Sequence, residues 1–86
     1  MSSDLVDTIR GYILENFLFT DDASALDPDA SLLDNGIVDS TGMMEIITFL
    51  EADLGVKVAD EDMTPENLDS VNRLVRYVLS KRAASA

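Results

Sequence analysis

Eighty-six residues, 47% of them hydrophobic, can bury one small core, so the chain is expected to form a single domain spanning residues 1–86. A formal net charge of −11 repels nucleic acid and anionic membrane surfaces and favours partners with basic patches. The absence of cysteine and histidine excludes disulfides, zinc fingers, thiol redox chemistry and any nucleophile activated by histidine.

The opening Met1-Ser2-Ser3-Asp4 has neither a basic segment nor an apolar one behind it, and no apolar run approaches the length of a membrane span. A cytoplasmic location without membrane insertion is therefore expected. Leu5, Ile9, Ile13 and Phe17 recur every four residues and predict a first helix over about 4–18. Ser2 or Ser3 is its expected N-cap, with Asp4 and Asp7 in the first turn. A long connection over about 19–38 follows, with Asp27-Pro28-Asp29 as a turn and Asn35-Gly36 as a break. Leu26, Leu32, Leu33 and Ile37 are its expected anchors on the core. Asp27 to Ser31 resembles the opening of a calcium loop, but Leu32 replaces the required glycine and Val38 stands where the closing glutamate belongs. No specific metal site is expected there. Connections this long in a small domain tend to be functional.

A second helix is predicted from Asp39 or Ser40 to about Leu54, with Gly55 as a suitable terminator. At about 100° per residue, Met43, Ile46, Ile47, Leu50 and Leu54 share one apolar arc. Ser40, Met44, Thr48 and Glu51 form a second stripe at the edge of that arc. Phe49 falls outside the arc. It and Met44 are left with two destinations, a partner surface or packing beneath the loop or third helix. Val56-Lys57-Val58 is too short to predict a strand. Thr64-Pro65-Glu66 starts a short third helix ending by Leu68. Asp69 or Ser70 caps a fourth, in which Val71, Leu74, Val75, Val78 and Leu79 recur with helical spacing and Lys81 and Arg82 suit the C-terminal end. The ordered core is expected over about 4–80, with residues 81–86 a fraying tail. The fold class is all-α: a small, monomeric four-helix bundle, three main helices plus a short third, with one long loop between the first two.

Ser40 is the residue that this arrangement singles out. Its hydroxyl sits at a helix start, in a stretch from Asp21 to Asp69 that holds fourteen acids and one base, Lys57. With no base in reach it is not a catalytic nucleophile, and no catalytic residue is expected anywhere in the chain. Something else must act on it. The same charge excess predicts a melting temperature that rises with salt, and further with divalent cations through weak sites at Asp60-Glu61-Asp62 and between Asp27 and Asp39.

Helix order, length, acidity and the run from Leu33 to Gly55, with Gly36, Asp39-Ser40, Glu45, Leu50, Glu51 and Leu54, resemble the acyl and peptidyl carrier proteins of the discrete, stand-alone type. The resemblance covers nearly the whole chain. It implies that a separate transferase moves 4′-phosphopantetheine from coenzyme A onto the Ser40 oxygen, and that the terminal sulfur of this arm then carries acyl groups as thioesters. It implies a supporting role for Asp39, as N-cap and beside the transferase's metal ion. Thr41, Met44, Glu45, Thr48 and Glu51 are the expected docking residues for the transferase and for acyl-activating ligase or synthase enzymes.

Two departures from the family pattern matter. Thr41-Gly42 stands where leucine commonly follows the serine, which predicts a looser first turn, since glycine costs a helix about 1 kcal/mol against alanine. The spacing Gly36-Ile37-Val38-Asp39-Ser40 looks like carriers that serve adenylate-forming ligases, D-alanyl carriers among them, rather than fatty-acid carriers. The first reading is an acyl carrier of fatty acid or secondary metabolite biosynthesis. The alternative is an aminoacyl, D-alanyl or peptidyl-type carrier using the same serine. A reading of another class is an unmodified acidic helical adaptor, with Asp39-Ser40 serving only as a cap.

Overall fold

The computed structural model of the protein describes the backbone of residues 2–85 and the side chains of residues 4–83. The first helix, α1, runs from Ser2 to Ile13 and buries Leu5, Ile9 and Ile13. It begins earlier than expected, so Ser2 and Ser3 lie within it instead of capping it, and the capping position falls on Met1, outside the described residues. Leu14–Leu18 continue it as a wider π-helical turn that ends at Phe19, which adopts a left-handed conformation with φ 55°. Phe17 is thereby half-buried rather than a full member of the core.

The other helices are α2, Ser40–Asp53, α3, Pro65–Leu68, and α4, Val71–Ser85. Among the described residues there is no strand, and the all-α bundle with a long connection from 19 to 39 is the architecture expected. Helix α2 stops where Gly55 turns the chain at φ 66°, and the Val56 amide donates back to the Leu50 carbonyl at 3.0 Å. Val56 and Val58 then alternate about exposed Lys57 and plug the core without forming a strand. Pro65 opens α3 as predicted, although the Thr64 side chain caps nothing and instead receives the Asn67 side-chain amide at 3.3 Å. Ser70 caps α4, accepting the Arg73 amide at 3.1 Å. Past residue 80 the chain continues as helix through Ser85, where a fraying tail was expected.

Helix α1 packs along α4, and Ile46, Ile47 and Leu50 of α2 close the core over both. Met43 and Leu54, near the two ends of α2, are half-buried, and Leu79, at the edge of the apolar stripe of α4, is 41% exposed although its spacing matched the buried positions. A helical stripe wider than the neighbouring helices can cover leaves its edge in water. Tyr77 takes the opposite course. Its ring is buried and its hydroxyl donates to Asp62 at 2.9 Å, while Lys81 lies 3.4 Å from the same carboxylate. Burial first, then the bond to Asp62, pushes the phenol above its ordinary range. This trio fastens the short 3₁₀ turn Asp60–Asp62 to α4.

Lys81–Asp62 is the one ion pair among the described residues, in a chain with seventeen carboxylate side chains. The acids are therefore largely uncompensated, and screening should stabilise the fold. The melting temperature is expected to rise between about 0.01 M and 0.15 M monovalent salt, as the Debye length falls from about 30 Å to about 8 Å. A flat or falling curve in a thermal melt series would show the repulsion to be already balanced. Among the described residues no three carboxylates converge to hold a metal, so a further gain from divalent ions would come from weak, diffuse binding to the Asp60-Glu61-Asp62 and Asp27-to-Asp39 clusters. Asp27 accepts the Asp29 amide at 2.9 Å, and Asp29 the Asn72 side chain at 2.6 Å. No helix among the described residues is long and apolar enough to cross a membrane.

Candidate functional site

The connection from 19 to 39 carries Ser40, and its final third is held by one side chain. Asp69 is 8% exposed at the junction of α3 and α4. Its carboxylate accepts the Ser31 hydroxyl and, at 2.9 Å, the Leu33 amide, while its carbonyl accepts the Leu32 amide at 2.8 Å. The Ile37 and Val38 amides then both return to the Leu32 carbonyl, at 3.0 and 3.2 Å, across a turn in which Gly36 has φ 68°. That conformation suits glycine and few other residues. Leu32 and Val38 are buried by this fold-back, and the next two residues emerge at the surface as Asp39 and Ser40.

Asp39 is the N-cap of α2. Its Oδ1 accepts the Gly42 amide at 2.7 Å, and its carbonyl accepts the Met43 amide at 2.8 Å. Ser40 is the first helical residue, exposed, and its hydroxyl has no hydrogen-bond partner among the described residues. The amides of Ser40 and Thr41 are first-turn groups with no acceptor inside the helix, and they lie at the positive end of its dipole. The site thus offers a free hydroxyl, reachable from outside, at an end of α2 that favours an anion. The chain has no histidine to take the hydroxyl proton, and the neighbouring carboxylate, Asp39, is engaged as the cap of α2.

Gly42 is where the sequence reading needs correcting. A Cβ there would meet the Phe17 ring at 2.9 Å, the Val38 Cβ at 3.2 Å and Asp39 Oδ1 at 3.4 Å. Rather than loosening the first turn, the missing side chain lets the π-helical turn and the loop close on α2 beside Ser40. The adjacent position, Thr41, is exposed.

The stripe below Ser40 is also exposed: Thr41, Met44, Glu45, Thr48 and Glu51 all face water, Met44 with 53% of its surface. Met44 is therefore not a core residue. Two of the five have internal ties as well, since the Thr48 hydroxyl donates to the Met44 carbonyl at 3.0 Å and Glu51 accepts the Val58 amide at 3.4 Å. Phe49 packs against α1. It stacks on Tyr12 of α1 at 4.0 Å between ring centroids, and Tyr12 meets Phe17 edge-on at 6.2 Å. The Tyr12 hydroxyl donates to the Glu45 carbonyl at 3.3 Å, and burial, with Glu45 and Asp53 nearby, pushes its pKa up. This aromatic row fixes α2 against α1. Sequence reading missed Asp69, Ser31 and the Phe17–Gly42 contact, none of which has a periodic or local signature; Asp69 in particular reads as one of two equivalent caps until Ser70 is seen to do the capping.

Residues 7–78 match the family model described as a phosphopantetheine attachment site. The chain is 34% identical over 73 residues to the D-alanyl carrier protein of Streptococcus uberis, covering 83% of this chain and 91% of that one. It is 33% identical over 67 residues to the D-alanyl carrier protein of Abiotrophia defectiva, covering 78% and 85%. Against aminoacyl carrier protein 1 of Bradyrhizobium diazoefficiens the identity is 29% over 77 residues, covering 90% and 80%.

Proposed function

The chain belongs to the phosphopantetheine-bearing carrier proteins, a family without catalysis of its own, and we propose that it is an aminoacyl carrier modified on Ser40 and loaded by an adenylate-forming ligase. The observation that carries the choice of residue is the exposed, unpartnered Ser40 hydroxyl on the first turn of a fourteen-residue helix, inside the matched span. The names of the relatives support aminoacyl cargo, as does the Gly36-to-Ser40 spacing. The generic acyl carrier, placed first from sequence, gives way to its alternative.

The residues fit the group. The Ser40 oxygen attacks the phosphorus that carries the pantetheine half of coenzyme A. The bond to adenosine 3′,5′-bisphosphate breaks, and the hydroxyl proton passes to a base on the transferase, since the neighbouring Asp39 is engaged as the cap of α2. A phosphodiester on Ser40 then lies at the positive end of α2, which offsets its repulsion from Asp39. Asp39 holds the first turn through Gly42 and keeps the oxygen outside the bundle. Once attached, the group supplies a thiol on which an aminoacyl unit is held as a thioester. The exposed face of Thr41, Met44, Glu45, Thr48 and Glu51 presents this site to basic partner surfaces in the cytoplasm.

Incubation of the modified protein with an amino-acid-activating ligase and ATP is expected to add an amino-acid mass that hydroxylamine removes. Met44→Ala and Glu51→Lys should slow that loading several-fold. Met44→Ala should leave the melting temperature nearly unchanged, because an exposed side chain away from special contacts contributes within about 0.5 kcal/mol. Loading by fatty acids alone would return the assignment to the first reading, and variants loaded at the wild-type rate would remove this face from the docking surface.

A further inference from the structure

An open groove beside Ser40 has no part in the chemistry above. Apolar Phe17, Leu33, Ile37 and Val38 line it together with Gly36, Asp39 and Ser40. Leu33 was expected in the core, yet 38% of it is exposed, and Ile37 is only half-buried. Both are displaced outward by the fold-back that Asp69 anchors: its bond to the Leu33 amide fixes the backbone there, and the turn to Gly36 carries the two side chains towards the groove. The result is an apolar surface that the described part of the protein leaves uncovered, adjoining the one hydroxyl proposed to be modified.

The part of a phosphopantetheine arm next to its phosphate is apolar, and the groove next to Ser40 is lined mainly by apolar side chains. The phosphate comes first, then a carbon bearing two methyl groups, then a hydroxyl and two amides, with the thiol at the far end. We propose that the groove seats the dimethyl-bearing segment of the protein's own arm, with Phe17, Leu33 and Ile37 as the apolar seat. The phosphodiester remains at the start of α2, and the amides and thiol project into solvent, free for partner enzymes. Tethering makes the contact intramolecular, so a small apolar surface suffices to populate it. Two methyl groups gain by leaving water, whereas the amides would lose their hydration against such a wall. Close apposition of Phe17 to Gly42 keeps one side of the seat in place. The inference rests on Ser40 being the attachment residue.

The test compares apo and modified full-length protein, ¹³C-labelled at Leu and Ile methyl groups, with intact mass recorded on the same samples. Modified protein is expected to show shifted Leu33 and Ile37 methyl resonances and nuclear Overhauser contacts from them to the geminal methyls of the arm. Leu33→Ser, a surface substitution, should take up the arm to the same mass but lose those contacts. Arm mass with unshifted Leu33 and Ile37 methyls, or contacts to Ile46 or Leu50 in the core instead, would overturn the groove while leaving Ser40 modification intact. No gain of mass would overturn the attachment reading, and the groove with it.

Discussion

Ser40→Ala is expected to take up no phosphopantetheine from coenzyme A under conditions that convert wild-type protein fully, while melting within a few degrees of it. The first half follows from geometry. The Ser40 hydroxyl is the exposed oxygen at the start of α2, and Thr41, which also carries one, points about 100° further round the helix. Thr41 belongs to the same exposed face, so what separates the two oxygens is register: a transferase aligned on the Ser40 oxygen finds the Thr41 oxygen displaced by that rotation. The second half follows from capping. Asp39, not Ser40, accepts the Gly42 amide, so the substitution removes no hydrogen bond found among the described residues. Alanine is also the better helix former at that position, by a few tenths of a kcal/mol. Intact-mass analysis with a transferase and coenzyme A, alongside a thermal melt, reads both. Modification of the alanine variant would place the attachment elsewhere and sink the assignment. An unmodified wild type, tried with several transferases, would instead favour the acidic adaptor.

The contrast between Asp39 and Asp69 shows which parts of this molecule are legible in its sequence. Asp39 acts within three residues of itself, and local actions leave local patterns: the cap, the helix start and the exposed serine all follow from one dipeptide and the periodicity behind it. The same holds for Pro65 at the start of α3 and Gly55 at the end of α2. Asp69 acts across 38 residues on Ser31 and 36 on Leu33, and nothing in either neighbourhood announces the partner. Leu33 and Leu79 were assigned to the core because hydrophobicity and spacing are read without knowing how far the neighbouring elements extend; each lies just beyond that reach. Gly42 was misjudged for a related reason. Its helix cost is a local property, whereas the close approach of Phe17 that requires it depends on a π-helical turn 25 residues earlier. The site was legible, but the machinery that presents it was not.

That machinery gives the second large effect. Asp69→Ala is expected to destabilise the protein by about 3 kcal/mol, since hydrogen bonds to a charged group contribute roughly 1.5–3 kcal/mol each and a buried donor left unpaired costs about 1–3 kcal/mol. In a domain of this size each kcal/mol moves the melting temperature by roughly 4–8 °C, so a fall of at least about 10 °C should be read in a thermal melt. One effect opposes this. Removing any carboxylate from a chain of net charge −11 relieves repulsion. Asp34→Ala is the control, because Asp34 is exposed and its side chain makes no hydrogen bond among the described residues, so it reports the charge relief alone. Asp69→Asn should fall between the two: its amide oxygen can still accept the Leu33 amide, and the Ser31 hydroxyl can turn to accept from its NH₂ group. The order Asp34→Ala above Asp69→Asn above Asp69→Ala, measured at about 0.15 M salt to damp the charge term, is the expected result. Freed from Asp69, residues 31–38 no longer hold Ser40 at a fixed exit from the loop. Modification of Asp69→Ala should therefore slow even at temperatures where circular dichroism shows its helices intact. If Asp69→Ala melts with Asp34→Ala, the loop is held by the Leu32, Ile37 and Val38 backbone bonds alone, and Asp69 is not its anchor.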